Sequence, residues 1–256
     1  MHAWPDYMAE WKVDVRLIPG WETRSRSSGG IDSLLGIWCH HTVSKTTPAN
    51  DVAFCIKGSP DAPIGSGILA RDGVFHFHTA GATNTNGRGG PWFTSIGVIP
   101  KDNGNRNGAA IEAANDGVGE VWPNVQRDAY VRLVASFVDM ARREFGLPMQ
   151  VDSVLAHHEW APDRKTDPSG PPSPWGGPGR TLWRMDEFRG DVFAALLPPE
   201  GDEVTADEVK AIVDAAEKRI VARINRSIEV TREGRQEQRA QFKLLAAELN
   251  DNDNAE

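Results

Sequence analysis

Leu155-Ala156-His157-His158-Glu159-Trp160-Ala161-Pro162-Asp163-Arg164-Lys165-Thr166-Asp167-Pro168 is the stretch on which the reading of this chain turns. The short apolar run before it, Val151 to Leu155, has the length and composition of a buried strand. That strand delivers a histidine doublet at its end. A second doublet closes Gly36-Ile37-Trp38-Cys39-His40-His41-Thr42, where Leu34 to Thr42 also reads as a buried strand. Strand ends and the loops that follow them are where α/β sheets build their sites. One imidazole from each doublet and the carboxylate of Asp167 are enough to hold a Zn²⁺ with one position open, and an open position marks catalysis rather than structure. Lys165, two residues before Asp167, puts a cation where an oxyanion could form. The pattern does not choose between the two histidines of each doublet.

Outward from these two strands, the chain alternates strands and helices. Trp11 to Ile18 reads as a strand stopped by Pro19-Gly20, and Ser25 to Asp32 as a loop. Ile64 to His78 reads as two strands around the Asp72-Gly73 turn. Gly81 to Pro91 is loop, and Gly108 to Ala113 a short strand running into Asn115-Asp116-Gly117. Apolar residues at helical spacing, Ala129, Leu133, Val134, Phe137, Val138, Met140 and Ala141, predict a helix over Gln126 to Phe145 that Gly146 ends. A closing helix is expected over Met185 to Leu197. The expected fold is an α/β domain over residues 1–198: a mixed central β-sheet flanked by helices.

Residues 199–256 are expected to form a separate linker and helical tail. Pro198, Pro199 and Gly201 mark the boundary, and Thr205 to Glu208 forms a capping box. Val209, Ile212, Val213, Ala216, Ile220, Ile224 and Ile228 make one apolar stripe, and Phe242, Leu245 and Leu249 a shorter one. Such stripes call for a partner helix, from a second copy of the chain, from the domain surface or from a virion protein. Asn250 to Glu256 has the composition of disorder.

The net charge of −8 gives a nucleic-acid partner no electrostatic support. No apolar run approaches the length of a membrane span. The N-terminus lacks the basic and apolar regions of a signal peptide, so a chain made in the cytoplasm needs another route to any substrate outside it. Two cysteines, Cys39 and Cys55, are no disulfide framework, and Cys39 is expected in the core.

Six segments carry a resemblance: WCHHT (38–42), LARDGVFHF (69–77), AGATNTNG (80–87), GAAIEAANDG (108–117), WPNVQRDAYVRL (122–133) and LAHHEWAPDRKTDP (155–168). In this order they resemble the type 2 N-acetylmuramoyl-L-alanine amidases, relatives of the peptidoglycan recognition proteins, and most of all those of actinobacterial phages. The resemblance implies Zn²⁺ on His40, His157 and Asp167, with His41 and His158 outside the shell. It implies a catalytic glutamate at Glu112 and a cation near the scissile carbonyl at Lys165. The substrate it implies is bacterial peptidoglycan, cut between N-acetylmuramic acid and L-alanine.

The chain departs from the family where some relatives carry a tyrosine and Gly65-Ser66-Gly67 stands here, and where a loop histidine is replaced by Thr85 after Asn84. Asn84, Thr85, His76, His78 and Trp160 are then the expected substrate contacts, with Trp92 and Trp175 as further sugar-stacking candidates. Trp38 and Trp183 are expected in the core. The rival readings are a non-catalytic peptidoglycan-binding module on the same fold and a virion-associated structural protein carrying an amidase domain.

Overall fold

A computed structural model describes residues 1–27, 30–58, 63–171 and 174–197. Strands β2 (Gly36–His41) and β7 (Gly108–Ala113) are buried at all six of their residues. Strands without polar alternation have to be covered on both faces, and these are. They lie side by side in a six-stranded sheet that also holds β1 (Val15–Leu17), β3 (Gly67–Leu69), β4 (Phe75–Phe77) and β8 (Val154–Ala156). The order is β1-β4-β3-β7-β2-β8. The β3–β4 pair is antiparallel and the other pairs are parallel, so the sheet is mixed, as expected.

Alternation sends neighbouring residues of β2 to opposite faces. Ile37 and Cys39 join Ile111, Leu69, Phe75 and Phe77 in the main core under helix α3 (Asn124–Phe145), whose Leu133, Val134, Phe137 and Val138 are fully buried. Gly146, in the left-handed region, ends that helix. Trp38 faces the other way, into a smaller cluster with Ala110, Leu155, Ile99 and Trp160. Beside it Ile68 and Ala114 are covered by Val52 and Cys55 of helix α2 (Pro48–Lys57). His40 lies on this second face. The register puts His76, Ile68, Glu112 and His40 in one row across four adjacent strands.

Three elements escape the sequence reading. Helix α1 (Trp4–Glu10) is too short to show a period, yet Trp4, Tyr7 and Met8 bury one side of it in the main core. Helix α2 starts at Pro48 behind Thr47, whose hydroxyl caps Asn50 N–H. A small hairpin, β5 (Trp92–Thr94) with β6 (Gly97–Ile99), stands apart from the main sheet. The strand expected from Trp11 begins only at Val15, because Lys12 takes a left-handed turn with φ 54°. The expected closing helix is α5 (Met185–Ala195). The tail expected over 199–256 lies outside the described residues.

Candidate active site

β2 and β8 bring the two doublets together. The main-chain N–H of His40 donates to the buried Tyr130 hydroxyl of α3 at 3.0 Å, which pins the end of β2. At the end of β8 the chain turns at once into α4 (His157–Trp160). The Glu159 carboxylate accepts from Ala156 N–H at 3.0 Å and pairs with Arg189 of α5, while Arg189 Nε donates to Val154 C=O at 2.8 Å. His157 thus emerges from a turn held at three points. The chain then loops back so that His158 N–H donates to Asp167 C=O at 2.9 Å.

The result is a convergence of three side-chain atoms. His40 Nδ1 and His157 Nδ1 stand 2.9 Å apart, and Asp167 Oδ2 lies 2.9 Å from the first and 3.1 Å from the second. At zinc bond lengths a tetrahedral shell would hold such atoms about 3.3 Å apart, a few tenths of an ångström more. The far nitrogens decide what the near ones are. His40 Nε2 lies 3.0 Å from Asn86 Oδ1, and His157 Nε2 lies 3.0 Å from Asn86 C=O. Both partners are acceptors, so each Nε2 carries the hydrogen and each neutral imidazole offers a bare lone pair at Nδ1. Two lone pairs and a carboxylate oxygen facing one point fit a divalent cation, and the donor set suits zinc.

His41 and His158 stay outside this point. His41 Nδ1 accepts from Ser169 N–H at 3.2 Å, and His158 Nδ1 faces the main-chain oxygen of Asp167 at 3.2 Å.

Glu112 is the register partner of His40 and shares its face. It is 8% exposed, and among the described residues none donates a hydrogen bond to its carboxylate. Burial above all pushes it up to about 7, against the pull of the His40 and Lys165 charges. A buried, unpaired carboxylate beside a cation-binding cluster is a chemical group rather than a structural one. Gly65 makes room for it. With φ 67°, Gly65 occupies the left-handed region, and an added Cβ would stand 3.1 Å from Glu112 Cγ. Lys165 is half-buried and close enough that its charge also lowers His157, which burial and then His40 hold down to about 4. Burial would lower His40 too, but the Glu112 and Asp167 carboxylates outweigh it and raise the imidazole.

The expected substrate contacts divide. Asn84 and Thr85 are half-buried in the loop bordering Gly65, where Thr85 Oγ1 accepts Gly65 N–H at 2.6 Å and Asn84 N–H donates to Pro63 C=O at 2.8 Å. His76 and His78 do not fit the expectation. His78 is fully buried against Thr79, and His76 is buried beyond Ile68, two strand spacings or about 10 Å from Glu112. The charges that act on His76 are Arg16, Asp72 and Asp14. Trp160 is also corrected. At 1% exposure its ring packs edge-on against Trp38 at 5.6 Å and donates to Gly87 C=O, so no face is left for a sugar. Trp175 is buried with Trp183. Trp92 is half-buried and donates to Asp152 C=O. Trp38, Trp183 and Cys39 are core residues, as expected. Asn86 went unnoticed in the sequence because an Asn-Gly pair in a Gly/Asn-rich loop reads only as a turn.

Comparison with known proteins bears on this site. An AmpD derivative of known structure is 15% identical over 73% of this chain and 97% of its own, with a TM-score of 0.48. The PlyG catalytic domain is 12% identical over 74% and 98%, with a TM-score of 0.45. The endolysin N-acetylmuramoyl-L-alanine amidase LysCS from Clostridium intestinale URNW is 11% identical over 70% and 95%, with a TM-score of 0.45. No curated protein matches the chain. These structural likenesses are distant, and membership rests on the family profile. The profile of the family described as N-acetylmuramoyl-L-alanine amidase matches residues 32–170. That span takes in more than half of the chain, with both histidine doublets, Glu112 and Asp167, and the chain belongs to the N-acetylmuramoyl-L-alanine amidase family.

Proposed function

We propose that this protein is a zinc-dependent amidase that cuts bacterial peptidoglycan between the lactyl carbonyl of N-acetylmuramic acid and the L-alanine of the stem peptide. The observation that carries the reading is the convergence of His40 Nδ1, His157 Nδ1 and Asp167 Oδ2 beside the unpaired carboxylate of Glu112. His40, His157 and Asp167 would hold Zn²⁺. When bound, the ion supplies a Lewis acid that polarises the carbonyl and brings the ionisation of a water toward neutrality.

The chain's own groups do the rest. The Glu112 carboxylate takes the proton of the attacking water and returns it to the departing nitrogen of L-alanine. Its burial keeps it basic enough for that task near neutral pH. The Lys165 ammonium stabilises the negative charge that develops on the carbonyl oxygen. Asn84 and Thr85 lie in the loop bordering Gly65, beside Glu112, and are the remaining candidates for contact with the sugar or peptide.

The activity fits a lysin that reaches the wall from the cytoplasm through a membrane lesion, or arrives there with a virion. No helix among the described residues is long and apolar enough to cross a membrane. The test is a digest of purified cell wall, with and without a chelator. New N-terminal L-alanine without new reducing ends is expected, lost on chelation and restored by Zn²⁺. Reducing ends without free amines would make the chain a glycosidase. Wall binding without any cleavage would favour a non-catalytic binding module.

A further inference from the structure

Asn86 touches both imidazoles of the candidate metal site, one through its side chain and the other through its main chain. Its Oδ1 lies 3.0 Å from His40 Nε2, and its C=O lies 3.0 Å from His157 Nε2. The residue is 1% exposed. Its own amide cannot be turned round, because Nδ2 donates to Gly104 C=O at 3.1 Å and leaves Oδ1 facing His40. The loop that carries it is clamped from behind. Asn105 Oδ1 accepts from the main-chain N–H groups of Thr85, Asn86 and Gly87, at 3.1, 2.8 and 3.3 Å. Arg164 donates to the same Asn86 C=O at 3.0 Å.

We propose that Asn86 is a positioning residue for the metal: it fixes both ligand imidazoles with the hydrogen on Nε2 and the lone pair on Nδ1, and Asn105 acts through it. The inference rests on the reading of His40, His157 and Asp167 as a metal site. A neutral imidazole has one N–H, and an acceptor at Nε2 decides which nitrogen keeps it. Without the Asn86 side chain, His40 is free to carry its hydrogen on Nδ1, where it would donate to Asp167 Oδ2 and close the site against a cation. The ring would also lose its rotational anchor. Partners of this kind are typically worth about 10- to 100-fold in metal affinity. The main-chain contact to His157 survives any side-chain change, so the effect falls on one ligand of the three.

The experiment uses the full chain stripped of metal, titrated with Zn²⁺ against a chromophoric chelator and with Co²⁺ for its visible absorption. The variants are Asn86→Ala, which removes the acceptor, and Asn86→Asp, which keeps one at the same place. Wild type is expected to bind one Zn²⁺ and to give a tetrahedral Co²⁺ spectrum. Asn86→Ala should weaken Zn²⁺ binding about 10- to 100-fold and alter the Co²⁺ bands. Asn86→Asp should bind at least as tightly as wild type, because a carboxylate on Nε2–H makes the imidazole a stronger donor. A purely structural Asn86 would not give effects of opposite direction. Wild-type affinity and spectrum in Asn86→Ala would overturn the proposal. If Asn86→Ala does not fold, Asn86→Asp decides alone, and a tenfold loss there overturns it. Wild type that binds no metal would defeat the metal-site reading itself, a result distinct from either variant's.

Discussion

Glu112 shows what a single residue contributes and what it costs. Its folded value of about 7 stands above the ordinary 4.5, so between these values the folded protein holds a proton that the unfolded chain has released. The metal-free protein should therefore lose stability as pH rises through that window, and lose no more of it above. Glu112→Gln removes the liability, and the metal-free variant should melt several degrees above wild type at pH 8 by calorimetry. The same substitution should lower kcat by about 10²-fold or more, because the base is gone while zinc is retained. Near-wild-type turnover would place the base elsewhere. The low-pH limb of kcat/KM should lie at or below pH 7, since a nearby cation ionises the carboxylate earlier. Residues at this scale were legible when chemistry and position coincided. His40 and His157 stand at or just after strand ends, Asp167 is carried back to them by the loop after α4, and Glu112 faces His40 across a strand pair. Trp160 misled because it follows the ligand by three residues; one turn of α4 is enough to rotate its ring into the core. Asn86 was illegible because the residue that favours a turn is also the residue that can accept from imidazole.

Among elements, β2, β7 and β8 were readable from their short, largely apolar runs, although Val151–Ser153 ahead of β8 forms a 3-10 turn rather than strand, and α3 was readable from its period. α1 and α2 were not, because seven and ten residues give too few turns to establish a stripe. The element with the least obvious effect on the site is α5. Through Arg189 it reaches both Val154 C=O and Glu159, and so fixes the turn from which His157 projects. The guanidinium uses two different N–H groups for two different acceptors. Arg189→Ala should cost about 1–3 kcal/mol in a denaturant melt, because the Val154 oxygen and a half-buried carboxylate lose their donor. Arg189→Lys should recover only part of that, as a single ammonium cannot span the fork. Zinc affinity should fall in both variants, and unchanged affinity in Arg189→Ala would mean that α4 holds its shape unaided.

At the scale of the molecule, the family match and the packed body do not have the same limits. The match spans residues 32–170, whereas the compact unit runs from Met1 to Leu197. Trp4 and Met8 precede the match, and Trp175, Trp183 and Phe188 follow it, yet all five are core residues. A chain cut to residues 32–170 should be insoluble or molten, with near-UV circular dichroism lost, because the Trp4, Phe75, Phe77 and Phe137 rings would lose their packing. A chain ending at Leu197 should fold and cleave soluble muropeptides at the rate of the full chain. If that shortened chain were inactive, the terminal residues would belong to the catalytic machinery. Nothing in the sequence signals the N-terminal contribution, which only the packing of Trp4 reveals. For anyone building chimeric amidases, the transferable cassette is set by where aromatic rings interlock rather than by where homology fades. Crossovers near residues 32 and 170 would sever Trp4 from Ser136 and Arg189 from Glu159, and a hybrid spliced there would inherit the catalytic groups without the scaffold that aims them.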